Sequence, residues 1–135
     1  MERESRYYTS VEQSQKLIEM GLDPNTADMC YIKHCTSDDQ TWRYDDFPPM
    51  VLSKEMPDSI DCLPCWSVGA LFAILRQVSL GNKMRKKGCA LDIFMNGISC
   101  GKGIDYDIIA DYKFNDGMAD SFYKMVVLML EKKFI

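Results

Sequence analysis

Ile104-Asp105-Tyr106-Asp107-Ile108-Ile109-Ala110-Asp111-Tyr112 decides the fold class. Ile104, Tyr106, Ile108, Ala110 and Tyr112 fall on one side of an extended chain, and Asp105, Asp107, Ile109 and Asp111 on the other. This is the pattern of an antiparallel strand with one packed and one wet face. Upstream, Ala90 to Met95 reads as another strand, with Asn96-Gly97 and Gly101-Lys102-Gly103 supplying turn chemistry between the two. Downstream, Met118 to Lys132 reads as a helix burying Ala119, Phe122, Tyr123, Val126, Val127 and Leu130. Asp116 and Asp120 stand near its positive end, and Lys132 and Lys133 near its negative end.

A second helix precedes the sheet. Val68, Leu71, Phe72 and Leu75 recur at i, i+3, i+4 and i+7, with Ser67 as N-cap, Gly81 as stop and Trp66 just ahead of it. Near the start of the chain, Ser10-Val11-Glu12-Gln13 has the form of a capping box, which predicts a helix from Val11 to Met20 that ends on Gly21 before Pro24. Met29 to His34 reads as a strand, paired with Trp42-Arg43-Tyr44 across the Ser37 to Gln40 turn, and Met50-Val51-Leu52 as a short edge segment. Phe47-Pro48-Pro49 and Met56-Pro57-Asp58 punctuate a loop over the core. Helices and strands are segregated rather than alternating, so the expected class is α+β: a small antiparallel sheet packed by about three helices. Trp66, Leu71, Phe72, Leu75, Phe122, Val126 and Leu130 are the expected core.

The 135 residues, 47% hydrophobic and 27% charged, suit a single globular domain over 1–135, with residues 1–9 as a flexible N-terminal arm. A formal net charge of −4 argues against nucleic acid as the partner. No apolar run has the length of a membrane span or the form of a secretory signal, so the expected compartment is the cytoplasm. There the six cysteines are free thiols or metal ligands rather than a disulfide framework.

Cys62-Leu63-Pro64-Cys65 is the strongest local motif. A CxxC at a loop–helix junction can cycle between dithiol and disulfide or hold a metal. With the lone histidine it offers Cys30, His34, Cys62 and Cys65 as a zinc quartet, because a strand through Cys30 puts His34 on the same face and sends Cys35 to the other. Asp105, Asp107 and Asp111 on one strand face could present carboxylates to Mg²⁺, although a solvated face predicts the same residues. Gly97 to Gly103 lacks the spacing and the following helix of a phosphate loop. Lys83, Arg85, Lys86 and Lys87 have no interleaved aromatics and read as a solvated loop.

Ser10-Val11-Glu12-Gln13-Ser14-Gln15-Lys16-Leu17 leading to Ala27-Asp28-Met29, then Leu63-Pro64-Cys65-Trp66-Ser67-Val68-Gly69-Ala70-Leu71, and a final helix closing on Glu131-Lys132-Lys133-Phe134-Ile135 resemble small uncharacterised proteins of prophages and mobile elements of Bacteroidetes. That resemblance implies no activity, cofactor or catalytic residue. With no catalytic constellation, the reading is a non-enzymatic cytoplasmic binding or accessory protein of a mobile element, whose partner is another protein. Its binding surface would be the aspartate face of 104–112, or Trp42 and Tyr44 if these are exposed. The alternative is a zinc-binding or thiol-redox module built on the CxxC.

Overall fold

The computed structural model describes residues 7–35, 42–44, 48–52 and 62–135. The Ser37 to Gln40 turn, Phe47, the Met56-Pro57-Asp58 segment and residues 1–6 of the arm lie outside them. The class is α+β. In chain order the elements are α1 (Val11–Glu19), a 3-10 turn (Pro24–Thr26), β1 (Met29–Ile32), β2 (His34–Cys35), β3 (Trp42–Arg43), β4 (Met50–Val51), β5 (Cys62–Cys65), α2 (Val68–Leu80), α3 (Asn82–Lys86), β6 (Cys89–Ile93), β7 (Gly97–Lys102), β8 (Asp107–Lys113), a second 3-10 turn (Phe114–Asp116) and α4 (Met118–Glu131).

The strands form two three-stranded antiparallel sheets, β4-β1-β5 and β6-β7-β8, with β2 and β3 as a separate pair. The larger core lies between the second sheet and helices α2 and α4. Leu71, Ile74, Leu75 and Val78 of α2 meet Phe122, Met125, Val126 and Met129 of α4, and Ile98 and Cys100 of β7 pack beneath. A smaller cluster of Tyr31, Leu63 and Cys65 fills the first sheet, flanked by Tyr8, Val11, Met29 and Tyr44.

Local chemistry explains the helix ends. The Ser10 hydroxyl accepts the Gln13 amide at 3.1 Å, and the Gln13 side chain accepts the Ser10 amide at 3.0 Å, completing the capping box of α1. The Gln13 amide nitrogen then donates to Asp120 of α4 at 2.9 Å, tying the two helices together. Gly21, at φ +94°, ends α1 with Leu22 N–H bonded to the Leu17 carbonyl. Ser67 caps α2 at the Ala70 amide, and the Asp28 carboxylate accepts both the Ser67 amide and hydroxyl, placing negative charge at the positive end of the helix.

Helix α4 closes in the same way as α1, with Phe134 N–H on the Met129 carbonyl and Lys133 N–H on the Leu130 carbonyl, but here the left-handed residue is Lys133 at φ +62°. A side chain in that conformation is strained. Lys133→Gly is therefore expected to raise the unfolding free energy by about 0.5–1 kcal/mol, the relief being offset in part by the extra freedom of glycine in the unfolded chain. Urea denaturation measures it, and an unchanged or lower midpoint would contradict the strain.

Several expectations are corrected. Gly97 to Lys102, read as turn chemistry, is the strand β7 that separates β6 from β8, and the strand expected over Met29 to His34 is divided, with Met29–Ile32 pairing with β4 and β5 and only His34-Cys35 with Trp42-Arg43. Tyr7 to Thr9 are docked, not a loose arm: Thr9 is fully buried, its N–H bonds the Trp66 carbonyl at 2.9 Å, and the Val68 N–H bonds the Tyr7 carbonyl at 2.9 Å. The strand expected over 104–112 begins at Asp107, because Gly103 at φ +83° and Tyr106 at φ +50° turn the chain. Finally, Cys100 pairs with Ala110 but Gly101 pairs with Ile108, which leaves Ile109 as an extra residue and inverts the alternation. Ala110 and Tyr112 remain on the core side, whereas Ile108 shares the outer face with Gly101 and is exposed. The same inversion puts Asp107, opposite Lys102, and Asp111, opposite Ser99, on different faces.

Candidate protein-binding groove

Strand β6 is an edge of its sheet among the described residues, since β7 is its one ladder partner. Its core-side residues, Leu91 and Ile93, pair with Cys100 and Ile98. Helix α2 runs beside them, and between helix and strand lies a depression of about 150 Å³ lined by Phe72, Leu75, Arg76, Ser79, Leu80, Leu91 and Ile93. Leu75 forms its floor, while Phe72, Leu80 and Ile93 are 42%, 71% and 44% exposed. The periodicity that placed Phe72 in the core is met by Leu71 and Leu75 instead. Phe72 lies on the flank of α2, with one side of its ring toward Phe122 at 6.3 Å between centroids and the other open. Beyond the end of β6, Phe94 and Met95 continue the exposed apolar surface at the hairpin tip. Arg76 supplies the positive charge of the groove.

Such a groove beside an open strand edge can receive an extended chain. Backbone groups of the incoming segment continue the ladder, and its alternate side chains enter the apolar depression. The sequence signal was the alternation of Cys89, Leu91 and Ile93. Sequence reasoning placed the strand there but did not mark its edge as a binding feature.

The residues singled out from the sequence lie elsewhere. Cys62 to Cys65 form β5 rather than a loop–helix junction. In a strand the two thiols point to opposite faces and their Cα atoms stand about 10 Å apart, beyond the reach of a disulfide of about 7 Å. Cys30 and Cys62 share one face, because Cys30 pairs with Pro64 and Ile32 with Cys62, whereas Cys65 faces Tyr31 and Thr9. Burial, with the nearby Cys62 thiol second, pushes the Cys30 thiol up to about 11, and burial raises Cys65 against the opposing hydrogen bond from Thr9. His34 belongs to β2, and its side chain is outside the described residues. The quartet is thus divided by the pleat of β5, and among the described residues no group of three or more His, Cys, Asp or Glu side chains is placed to hold a metal. The zinc and CxxC redox readings gain no support from this placement.

The aspartate face is likewise split by the bulge, and Asp111 bridges to Lys113 at 3.4 Å. Tyr44 is half-buried with the Lys33 ammonium 5.4 Å from its ring centre, so it packs rather than projects. Trp42 belongs to β3, and its side chain is outside the described residues. The basic cluster falls on and after the short α3.

No family model, curated protein or solved structure matches the chain. No helix among the described residues is long and apolar enough to cross a membrane.

Proposed function

We propose that this protein is a non-enzymatic binding module that captures an extended segment of another protein along β6. The observation that carries the reading is the pairing of a strand edge without a ladder partner among the described residues with the exposed apolar trio Phe72, Leu80 and Ile93. Arg76 favours a segment that carries an acidic residue among its apolar ones. A reducing cytoplasm is the compartment that suits this reading, since buried thiols such as Cys30, Cys65 and Cys100 stay reduced there.

Selection from a library of random twelve-residue peptides tests the proposal. The expected winners alternate apolar residues and include Asp or Glu. Their binding to Ile93→Glu should fall at least tenfold, because the substitution removes apolar contact area and places a carboxylate against the acidic segment. Peptides without such a pattern, or binding that Ile93→Glu leaves unchanged, would reject it. Light scattering separates the remaining case: concentration-dependent dimers abolished by Ile93→Glu would make a second copy of the chain the occupant.

A further inference from the structure

On the other side of α2 lies a larger cavity of about 500 Å³, open to solvent and bounded by the loop after α1 and the residues that follow α4. Its size is that of small-molecule sites, which run from roughly 300 to 1,000 Å³. Leu22, Ile74, Val78 and Phe134 form an apolar floor, each under a tenth exposed. The depth comes from Ala70 and Ala73, whose methyl groups leave room that larger side chains on this face of α2 would fill. The rim is held by hydrogen bonds, with the Trp66 indole N–H donating to the Thr26 hydroxyl at 2.9 Å and that hydroxyl donating to the Asp23 carbonyl at 2.6 Å.

Two polar side chains on the rim, Asp23 and Gln77, are exposed to water and not consumed by the fold. Asp23 uses Oδ1 to accept the Asn25 amide at 2.9 Å, leaving Oδ2 without a partner among the described residues. The Gln77 side-chain amide likewise makes no hydrogen bond among them. Among the described residues, Asp23 is the one charged side chain lining the cavity. The groove extends about 12 Å along α2 from Ala70 to Val78 at 1.5 Å per residue, the reach of an alkyl chain of about ten carbons.

We propose that this cavity binds an amphipathic cation, an aliphatic chain bearing a primary amine. The chain lies on Leu22, Ile74, Val78 and Phe134. The ammonium group donates to Asp23 Oδ2 and to the Gln77 side-chain oxygen.

Decylamine, decanoate and decanol, each below its micellar concentration, are titrated against ¹⁵N-labelled protein and by calorimetry. Decylamine is expected to bind at one per chain, with amide shifts confined to Leu22–Thr26, Ala70–Val78 and Phe134, while decanoate does not bind. Asp23→Asn keeps an oxygen for the Asn25 amide, so the turn survives. It should weaken decylamine at least tenfold and leave decanol unchanged. Ala73→Trp, at an exposed helical position, fills the groove and should abolish binding of both, with circular dichroism confirming the fold. Absence of decylamine binding would overturn the proposal. So would equal binding of decanoate, shifts spread over the chain, or affinity unmoved by either substitution.

Discussion

Trp66→Ala is expected to cost about 3–5 kcal/mol, the range for truncating a large buried aromatic, and so to consume a large part of the roughly 5–15 kcal/mol that holds an ordinary domain together. Trp66 is fully buried at the step from β5 into α2 and packs in the larger core. Its indole N–H bonds Thr26 at 2.9 Å, and its backbone exchanges hydrogen bonds with Thr9, N–H to the Thr9 hydroxyl at 3.1 Å and carbonyl from the Thr9 N–H at 2.9 Å. Truncation leaves a cavity that α1, α2 and the first sheet cannot all close at once, because each is fixed by its own hydrogen bonds. Trp66→Phe separates the causes: it keeps most of the apolar contact and loses the indole donor, for an expected cost of about 1–2 kcal/mol. Equilibrium urea unfolding of the two variants gives the comparison. A Trp66→Ala cost no larger than that of Trp66→Phe would show that the neighbouring elements collapse freely and that Trp66 does not join them.

How much of this was legible beforehand depended on the range over which each feature is determined. Helix α1 was readable to within a residue at either end because its signals are local: Ser10 and Gln13 are three residues apart, and Gly21 acts on its own backbone. The same holds for α2 from Ser67 to Gly81 and for α4. Of the smaller strands, β1, β3 and β4 follow from β-prone runs between turns, whereas β5, the long-range partner of β1, was read as a loop–helix junction because its two cysteines and Pro64 carry no strand pattern. What failed was the central strand β7, whose Gly97 and Gly101 read as turn residues, and parity. The bulge at Ile109 is set by the fit of Gly101 beneath the Tyr106 ring, where a Cβ would come within 2.6 Å of the ring carbons. No alternation rule contains that contact, so Ile108 was assigned inward and Asp107 to the face of Asp111. The binding groove was invisible for a related reason. Phe72, Leu80 and Ile93 are unremarkable in their own segments, and they become a surface only when α2 is laid beside an edge strand.

Thr9→Val carries the other large effect, about 2–4 kcal/mol, although it changes neither size nor branching. The Thr9 hydroxyl accepts the Trp66 amide at 3.1 Å, lies 2.8 Å from the Ser14 hydroxyl and 3.6 Å from the Cys65 sulfur, and all of these groups are buried. Valine would strand the Trp66 N–H at a cost of about 1–3 kcal/mol and deprive Ser14 of its partner as well, while the Cys65 thiol keeps its bond to the Thr9 carbonyl at 3.4 Å. Ser14 recovers part of the loss by turning to a carbonyl of its own helix. Tyr31 keeps its bond to the Thr9 carbonyl at 2.7 Å in either variant, so the loss isolates the hydroxyl. Thr9→Ser retains that oxygen and removes one methyl, for an expected cost of about 1 kcal/mol. In Thr9→Val the docked segment should also loosen, so exchange of the Val68 amide, bonded to the Tyr7 carbonyl, should speed up and alkylation of Cys65, followed by peptide mass, should accelerate. Serine and valine variants of equal stability would mean that the hydroxyl network contributes nothing beyond packing, and that the residues before α1 are held by apolar contact alone.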